Sequence, residues 1–181
     1  MRTLFCLQHL ANVRDLPGDV LELGVASGRT ALALAGFCHE MAPTKLVFAC
    51  DTFNGLPDSE GKLQEGDLNY GKMVEAMLFH SHLRNVVVVN GRIETQLPLR
   101  LPDRRFCFAW VDLDLYSPTS FAYKFLEDRM VPGGILGFHD YRFPKCPGID
   151  KVVDEELDRD KFEEIPHEGN PYCCVFFRRR P

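Results

Sequence analysis

Short apolar segments alternate with helix-forming segments along most of the chain. The predicted strands are 19–24, 45–50, 86–89, 105–111, 135–138, 162–165 and 172–177. The predicted helices are 28–41, 70–82 and 118–130, the last ended by a Pro-Gly-Gly stop at 132–134, and 149–157 is amphipathic. Such alternation favours right-handed crossovers and a parallel sheet covered on both faces. The sequence therefore predicts an α/β fold, a doubly wound, Rossmann-like sheet of seven strands in which only the last is antiparallel.

Length and composition narrow the classes of protein. A chain of 181 residues is typical of one domain with a small appendage, here a short N-terminal helix at 1–17 and a main domain at 18–181. No apolar run approaches the ~20 residues of a membrane helix, and a net charge of −5 argues against nucleic-acid binding. Seven cysteines without a C-x-x-C pair are typical of reduced, buried thiols in a cytoplasmic protein.

A glycine-containing turn joins the first strand to the first long helix, Glu22-Leu23-Gly24-Val25-Ala26-Ser27-Gly28-Arg29-Thr30. Glycine lets the backbone approach a ligand closely, and the free N–H groups of a helix start can bind an anion. Ala26 and Arg29 stand where the dinucleotide fingerprint G-x-G-x-x-G has glycines, and the phosphate-binding loop with its lysine does not fit either. The pattern E-x-G-x-x-x-G resembles the first motif of class I S-adenosylmethionine-dependent methyltransferases, and a purely structural turn remains the alternative.

Polar or glycine residues also follow the second and third predicted strands. Asp51 ends the second strand, where a carboxylate can accept hydrogen bonds from both hydroxyls of a ribose. The alternative for Asp51 is a turn cap, because aspartate is common in turns. After the third strand, Gly91 permits close approach of a ligand and Ile93 offers an apolar surface to an adenine ring. An ordinary strand-to-helix turn has the same pattern.

The strongest chemical signal follows strands four and five. Asp112 and Asp114 are two residues apart, so in extended backbone they point to the same side. His139 and Asp140 follow the next strand, which lies about 4.8 Å away if the two strands are neighbours. Three carboxylates at one sheet edge repel one another unless a cation lies among them. With the imidazole they suit Mg, Mn or Fe(II), and the alternative is a helix cap beside a buried core histidine.

Several segments, in this order, resemble the macrocin O-methyltransferase family. This family is a metal-dependent branch of the class I methyltransferases that acts on sugars and phenols of natural products. The most specific segments are D-T-F-N-G-L-P at 51–57 and V-D-L-D-L-Y at 111–116, followed by H-D-Y at 139–141. The other matching segments are 18–25, Gly91 with 94–98, 132–134 and 153–155. The resemblance thus runs from about Gly18 to Leu157.

The family resemblance implies two cofactors, S-adenosylmethionine and a divalent metal ion, Mg in the first place with Mn or Fe as alternatives. It implies that Asp51 holds the ribose and that loop 22–30 holds the methionine end. The implied cofactor-binding residues are Glu22, Gly24, Ala26, Ser27, Gly28, Thr30, Asp51, Thr52, Phe53, Gly91, Arg92, Ile93 and Asp112. Asp114, His139 and Asp140 are the implied metal ligands. Asp112 is the implied catalytic base, which deprotonates an acceptor hydroxyl whose pKa the metal lowers.

Two features depart from the family pattern. The Asp-Asp pair after strand five is His139-Asp140 here, which removes one negative charge and favours softer divalent ions. Only 21 residues precede Glu22, where family members carry a longer helical region that contributes to a lid and a dimer. Three functional hypotheses follow. The first is a metal-assisted O-methyltransferase, monomeric or homodimeric, that acts on a small-molecule hydroxyl, and the second is a non-catalytic cofactor-binding or partner module. The third is a nicotinamide-dependent oxidoreductase, against which Ala26 and Arg29 argue.

Overall fold

The structure, a computed structural model, describes residues 2–70, 74, 78, 82–166 and 173–181. Its strands are β1 (Asp19–Leu23), β2 (Val47–Asp51), β3 (Val86–Asn90), β4 (Phe106–Val111), β5 (Met130–Phe138), β6 (Phe162–Glu164) and β7 (Val175–Arg179). Its helices are α1 (Arg2–Val13), α2 (Arg29–Met41), α3 (Ile93–Arg100), α4 (Tyr116–Glu127) and α5 (Pro147–Lys151), the last continuing as a π-helical turn (Val152–Glu156). None of these helices is long and apolar enough to span a membrane.

The seven strands form one sheet in the order β3-β2-β1-β4-β5-β7-β6. Strands β1 to β5 pair in parallel, whereas β7 runs antiparallel to both of its neighbours, β5 and β6. Strand β6 therefore points the same way as the first five. This confirms the predicted sheet of seven strands with the last one antiparallel, although Tyr172, where that strand was predicted to begin, lies outside the described residues.

Both faces of the sheet are covered, which explains its continuous apolar strands. On one face α1 and α2 bury Cys6, Leu10 and Leu34 against the large side chains of β4, such as Trp110. On the other face α3, α4 and α5 pack against alternate residues of the same strand, such as Val111. Helix α1, which falls within the predicted segment 1–17, is thus packed into the same core as the sheet.

The region between α4 and β5 differs from its prediction. Helix α4 ends at Glu127, and Met130, predicted to be helical, already belongs to β5. The Pro-Gly-Gly segment is not a stop between helix and strand, because it lies inside β5. Met130 pairs with Phe106 and Ile135 with Phe108, so residues 131–134 bulge out of the ladder. Gly133 has a φ of 80°, a conformation that glycine adopts without strain, and it makes this bulge feasible.

Helix α3 was not predicted, and Pro98 lies in its interior, where a proline disfavours a helix. Its Ile93 and Leu97 are at most 4% exposed, and their burial on the sheet outweighs the one backbone hydrogen bond that the proline removes. The predicted helix 70–82 lies mainly outside the described residues. Of its positions, Val74 and Leu78 are described and are buried in a small apolar cluster beside α2.

Candidate active site

A pocket opens at the carboxyl edge of the sheet beside β1 and β4, where the strand order reverses. Doubly wound sheets bind their ligands at this point. The turns after β1, β2, β3 and β4 form its walls, and the loop 52–69 contributes an apolar side through Leu56, Pro57 and Leu68. The predicted cofactor-binding residues that line it are Gly24, Ala26, Asp51, Thr52, Gly91, Arg92, Ile93 and Asp112. Glu22, Ser27, Gly28, Thr30 and Phe53 are not among the lining residues.

The turn after β1 lies directly against the end of β4. Gly24 has a φ of 84°, and a Cβ atom at this position would lie 1.8 Å from the carbonyl oxygen of Asp112. Gly28, with a φ of 75°, precedes the first turn of α2. Both glycines therefore hold left-handed backbone that glycine adopts without strain, and Gly24 allows the turn after β1 to lie against the end of β4.

Asp51 connects the ends of β1 and β2. Its Oδ2 accepts hydrogen bonds from the backbone N–H groups of Val25, at 2.7 Å, and Ala26, at 3.0 Å. Its Oδ1 accepts one from the N–H of Phe53, at 2.8 Å. The carboxylate thus acts as a turn cap, the alternative role that the sequence analysis left open for it, and it also lines the pocket. Binding of ribose hydroxyls by Asp51 stays a prediction.

Arg92 follows β3 and reaches the outer loop rather than the pocket floor. Its Nη2 lies 2.7 Å from Asp58 Oδ2, and its Nε lies 3.7 Å from Glu94. Glu60, from the same loop as Asp58, accepts a hydrogen bond from the backbone N–H of Tyr116 at 2.8 Å. Two polar contacts therefore fix the loop 52–69 over the site, to the turn after β3 and to the start of α4.

The charged side chains after β4 and β5 form one compact group. The Nδ1–H of His139 donates to Asp112 Oδ1 and to Asp140 Oδ2, each at 3.0 Å. Ligand atoms of these three residues lie within 4.8 Å of one another, the spacing of metal ligands. Asp114 lies instead with Asp140 and Cys146, whose Sγ is 3.9 Å from Asp114 Oδ1.

Two side chains of this region, His139 and Asp114, have raised pKa values and therefore hold protons at neutral pH. Burial alone lowers the pKa of His139, but its hydrogen bonds to Asp112 and Asp140 outweigh burial and raise the pKa to about 9. Burial, together with the charges of Asp112 and Asp140, raises the pKa of Asp114 to about 8. Burial likewise raises the pKa of the Cys146 thiol to about 12, so the thiol is protonated at neutral pH. The charge repulsion expected from the sequence is therefore present and is relieved here by protons.

The expected ligand set Asp114, His139 and Asp140 does not come together as one group, because His139 lies with Asp112. The prediction assumed extended backbone through Asp114, so that it would share the direction of Asp112. Strand β4 ends at Val111, however, and Asp114 has a φ of 62°. This left-handed conformation, which aspartate tolerates better than most residues, ends the alternation of side chains.

Sequence reasoning missed two residues of this group. Cys146 was considered only as one of seven reduced, buried thiols, and it is indeed only 2% exposed, but its thiol also contacts Asp114. Arg2 was not considered, although its Nη1 lies 3.1 Å from Asp112 Oδ2. Arg2 reaches the group from α1, which is distant in the chain, whereas Cys146 reaches it from the turn between Asp140 and α5. No local pattern in the sequence indicates either contact.

The chain matches the family described as "Methyltransferase domain" over residues 21–141. A curated relative, Mycinamicin III 3''-O-methyltransferase of Micromonospora griseorubida, is 27% identical over 99% of this chain and 76% of its own length. A second, the 8-demethyl-8-(2,3-dimethoxy-alpha-L-rhamnosyl)-tetracenomycin-C 4'-O-methyltransferase of Streptomyces olivaceus, is also 27% identical, over 72% of this chain and 56% of its own length. Both names describe O-methyltransferases, in line with the predicted class of enzyme.

Solved structures share the fold. The calicheamicin methyltransferase CalS11 has a TM-score of 0.84 at 24% identity, covering 98% of this chain and 78% of that one. The O-methyltransferase NovP has a TM-score of 0.81, also at 24% identity, covering 99% and 80%. These likenesses confirm the predicted sheet topology and its helical layers.

Proposed function

The chain belongs to the methyltransferase domain family, and we propose that it transfers the methyl group of S-adenosylmethionine to a hydroxyl of a sugar or phenolic small molecule, assisted by a divalent metal ion. The observation that carries this proposal is the position of Asp112, which both lines the pocket and contacts His139 in the charged group. The names of the two curated relatives support a sugar hydroxyl as acceptor. Within the family we assign the chain to the macrocin O-methyltransferase branch.

The methyl donor fits the pocket residues. Gly24 and Gly91 leave the backbone accessible, Ile93 offers an apolar surface to the adenine ring, and Asp51 offers its carboxylate to the ribose. When bound, S-adenosylmethionine supplies an electrophilic methyl group on a sulfonium. The loop 52–69 lines the pocket with the apolar Leu56, Pro57 and Leu68, which would limit the access of water to the reacting atoms.

The metal ion fits the residues Asp112, His139 and Asp140, which offer two carboxylates and one imidazole within 4.8 Å. Such a set suits Mg, Mn or Fe(II), and the histidine favours a softer ion than a site of carboxylates alone. When bound, the metal lowers the pKa of the acceptor hydroxyl and orients it. To ligate through Nδ1, His139 gives up the proton that it now shares with the two carboxylates.

Asp114 is the catalytic base in this proposal, so it exchanges roles with Asp112 relative to the expectation from the sequence. It lines the pocket but lies outside the group formed by Asp112, His139 and Asp140. One carboxylate has to remain off the metal to accept the proton of the acceptor. Asp114 satisfies that condition better than Asp112, which already contacts His139. With a pKa raised to about 8, Asp114 would accept a proton readily once the charge of a bound metal ion had displaced its own.

The remaining assignments complete the proposal. The net charge of −5 supports a small-molecule acceptor rather than a nucleic acid, and the reduced cysteines support a cytoplasmic enzyme. The main methyltransferase domain is assigned to residues 18–181 and the N-terminal helix to 1–17. A homodimer is compatible with this organisation.

The proposal is tested with two aspartate variants of the same turn. Mn²⁺ binding is measured by calorimetry, and methyl transfer is measured from labelled S-adenosylmethionine to a panel of glycosides, nucleotide sugars and phenols. We expect chelator to abolish transfer, Asp112→Asn to weaken Mn²⁺ binding at least about tenfold, and Asp114→Asn to retain Mn²⁺ binding while losing about 10²–10⁴-fold in rate.

Opposite effects of the two variants would restore the roles expected from the sequence. Full transfer by chelator-treated protein would contradict metal assistance. If the protein binds S-adenosylhomocysteine but methylates no member of the panel, the non-catalytic binding module becomes the better description.

A further inference from the structure

A cationic side chain of the protein itself lies at the residues proposed to hold the metal ion. Arg2 Nη1 lies 3.1 Å from Asp112 Oδ2 and 3.5 Å from His139 Nδ1. The other oxygen of Asp112, Oδ1, lies 3.0 Å from the same imidazole nitrogen. Both oxygens of Asp112 are therefore occupied by basic groups of the chain, one by Arg2 and the other by His139.

The guanidinium of Arg2 reaches this position from the solvent side. Its side chain is 37% exposed, whereas that of Asp112 is 9% exposed. The start of α1 is held in place independently, because the hydroxyl of Thr3 shares a hydrogen bond of 3.1 Å with the hydroxyl of Thr30 in α2. The long side chain of Arg2 can therefore leave the site by a change of rotamer while α1 stays packed on the sheet.

The arginine nearest to this group in the sequence does not share the position of Arg2. Arg142 comes two residues after Asp140, but its Nη1 lies 2.9 Å from Asp154 and 3.7 Å from Asp150, which are outside the group. Within the described part of the chain, Arg2 and His139 are the basic side chains that pair with Asp112. Since His139 belongs to the proposed ligand set, Arg2 is the cation that a metal ion would have to replace.

We propose that Arg2 is a built-in counter-cation that competes with the metal ion for Asp112, so that metal binding expels its guanidinium from the site. The inference rests on the proposed metal site. Two cations that contact the same carboxylate lie only a few Å apart and repel each other strongly. Without a metal ion, Arg2 offsets the repulsion between the carboxylates, and with one it adds repulsion. The N-terminal helix thus raises the metal concentration at which the site fills.

The experiment measures Mn²⁺ affinity by calorimetry on the full chain, with any purification tag at the C-terminus. Arg2→Met removes the charge and keeps an apolar stem, and it should raise Mn²⁺ affinity at least about tenfold. Arg2→Lys keeps the charge but loses the fork of donors, so its affinity should lie between those of the parent and Arg2→Met. Arg14→Met is the matched control, because Arg14 is similarly exposed and pairs with Asp15, and it should change the affinity less than about twofold.

Thermal melting at several Mn²⁺ concentrations gives a second measurement. Without Mn²⁺, Arg2→Met should melt below the parent, because the carboxylates lose a counter-charge. Its melting temperature should then rise more steeply with Mn²⁺ than that of the parent, because tighter binding stabilises the folded state more at a given concentration. A purely structural role of Arg2 in packing α1 would instead lower the melting temperature equally at every Mn²⁺ concentration.

Unchanged or weaker Mn²⁺ binding by Arg2→Met overturns the inference and leaves the proposed metal site intact. An equal gain in Arg14→Met also overturns it, because net charge rather than position would then be the cause. If Arg2→Met fails to fold, Arg2→Lys decides, and an affinity at or below that of the parent refutes the competition. Absence of Mn²⁺ binding in both the parent and Arg2→Met refutes the inference and also contradicts metal assistance in the proposed function.

Discussion

The two halves of the site are built in different ways. The half after β1, β2 and β3 is made largely by the backbone: Gly24 and Gly91 have φ angles of 84° and 129°, and Asp51 is bonded to N–H groups of its own turns. The half after β4 and β5 is made by charged side chains, in which His139 and Asp112 neutralise one another across two strands. The first half is fixed by chain geometry and the second by the balance of charge.

This difference decides how each half responds to change. A backbone-made wall has no room for an added atom, but it needs no ligand to keep its shape. A group of carboxylates keeps its arrangement only while positive charge lies among them, whether the charge is a proton, Arg2 or a metal ion. We therefore expect substitutions in the first half to act on folding and donor binding, and those in the second half to act on metal binding and rate.

The largest effect is expected at Gly24, where the two halves touch. Gly24→Ala would bring a Cβ atom to within 1.8 Å of the Asp112 carbonyl oxygen at a φ of 84°. We expect the free energy of unfolding to fall by about 3–5 kcal/mol, since both backbone strain and overpacking contribute. Urea denaturation measures this change.

Gly36→Ala is the matched control for Gly24→Ala. Gly36 lies within α2, and a Cβ atom there would meet nothing within 4 Å. We expect a gain of about 0.5–1 kcal/mol, because alanine is the better helix former. If Gly24→Ala is as stable as the parent, the end of β1 is not fixed by its contact with β4, and the description of this half as backbone-made is wrong.

The same difference explains what the sequence could and could not predict. The turn at Gly24 and the carboxylate at Asp51 are local patterns, so their positions at the sheet edge follow from strand order alone. The grouping of Asp112 with His139 depends on where β4 ends and on the left-handed backbone of Asp114. The neighbouring residues in the sequence indicate neither feature. Arg2 depends on the packing of α1, and helix α3 on burial that outweighs a proline. Local chemistry was predictable, whereas contacts set by tertiary packing were not.

A smaller effect, confined to the donor half, is expected at Asp51. Asp51→Ala removes the acceptor of the Val25, Ala26 and Phe53 N–H groups. We expect the free energy of unfolding to fall by about 1–3 kcal/mol and the affinity for S-adenosylhomocysteine to fall at least about tenfold. Denaturation and calorimetry measure the two changes separately.

The comparison of the two halves requires that Asp51→Ala leave the charged group intact. Mn²⁺ affinity should therefore stay within about twofold of the parent, because no ligand atom of the group contacts Asp51 among the hydrogen bonds described. Loss of Mn²⁺ binding in this variant would show that the two halves are coupled. Unchanged binding of S-adenosylhomocysteine would remove Asp51 from the donor site and leave it as a turn cap.

The smallest effect is expected at Arg92, on the outer rim of the donor half. Its ion pair with Asp58 is about half exposed on both sides, and such pairs contribute less than about 1 kcal/mol. The pair nonetheless ties the loop 52–69 to the turn after β3. Arg92→Met and Asp58→Asn both break it, so both should weaken S-adenosylhomocysteine binding by a similar factor of about two to three.

The two variants separate an indirect role of Arg92 from the direct cofactor contact that the sequence predicted. If Arg92 acts only by holding the loop, Arg92→Met and Asp58→Asn weaken donor binding equally. If Arg92 contacts the donor directly, Arg92→Met weakens binding more than Asp58→Asn does. The observed distance of 2.7 Å to Asp58 favours the indirect role. The two- to threefold loss of affinity for S-adenosylhomocysteine should also disappear in about 0.5 M salt, because salt screens an exposed ion pair much more than a contact inside the pocket. A tenfold loss of affinity for S-adenosylhomocysteine that is confined to Arg92→Met and persists in salt would instead show that Arg92 contacts the donor. The rim would then belong to the donor site and would be built by a charged side chain, like the half after β4 and β5.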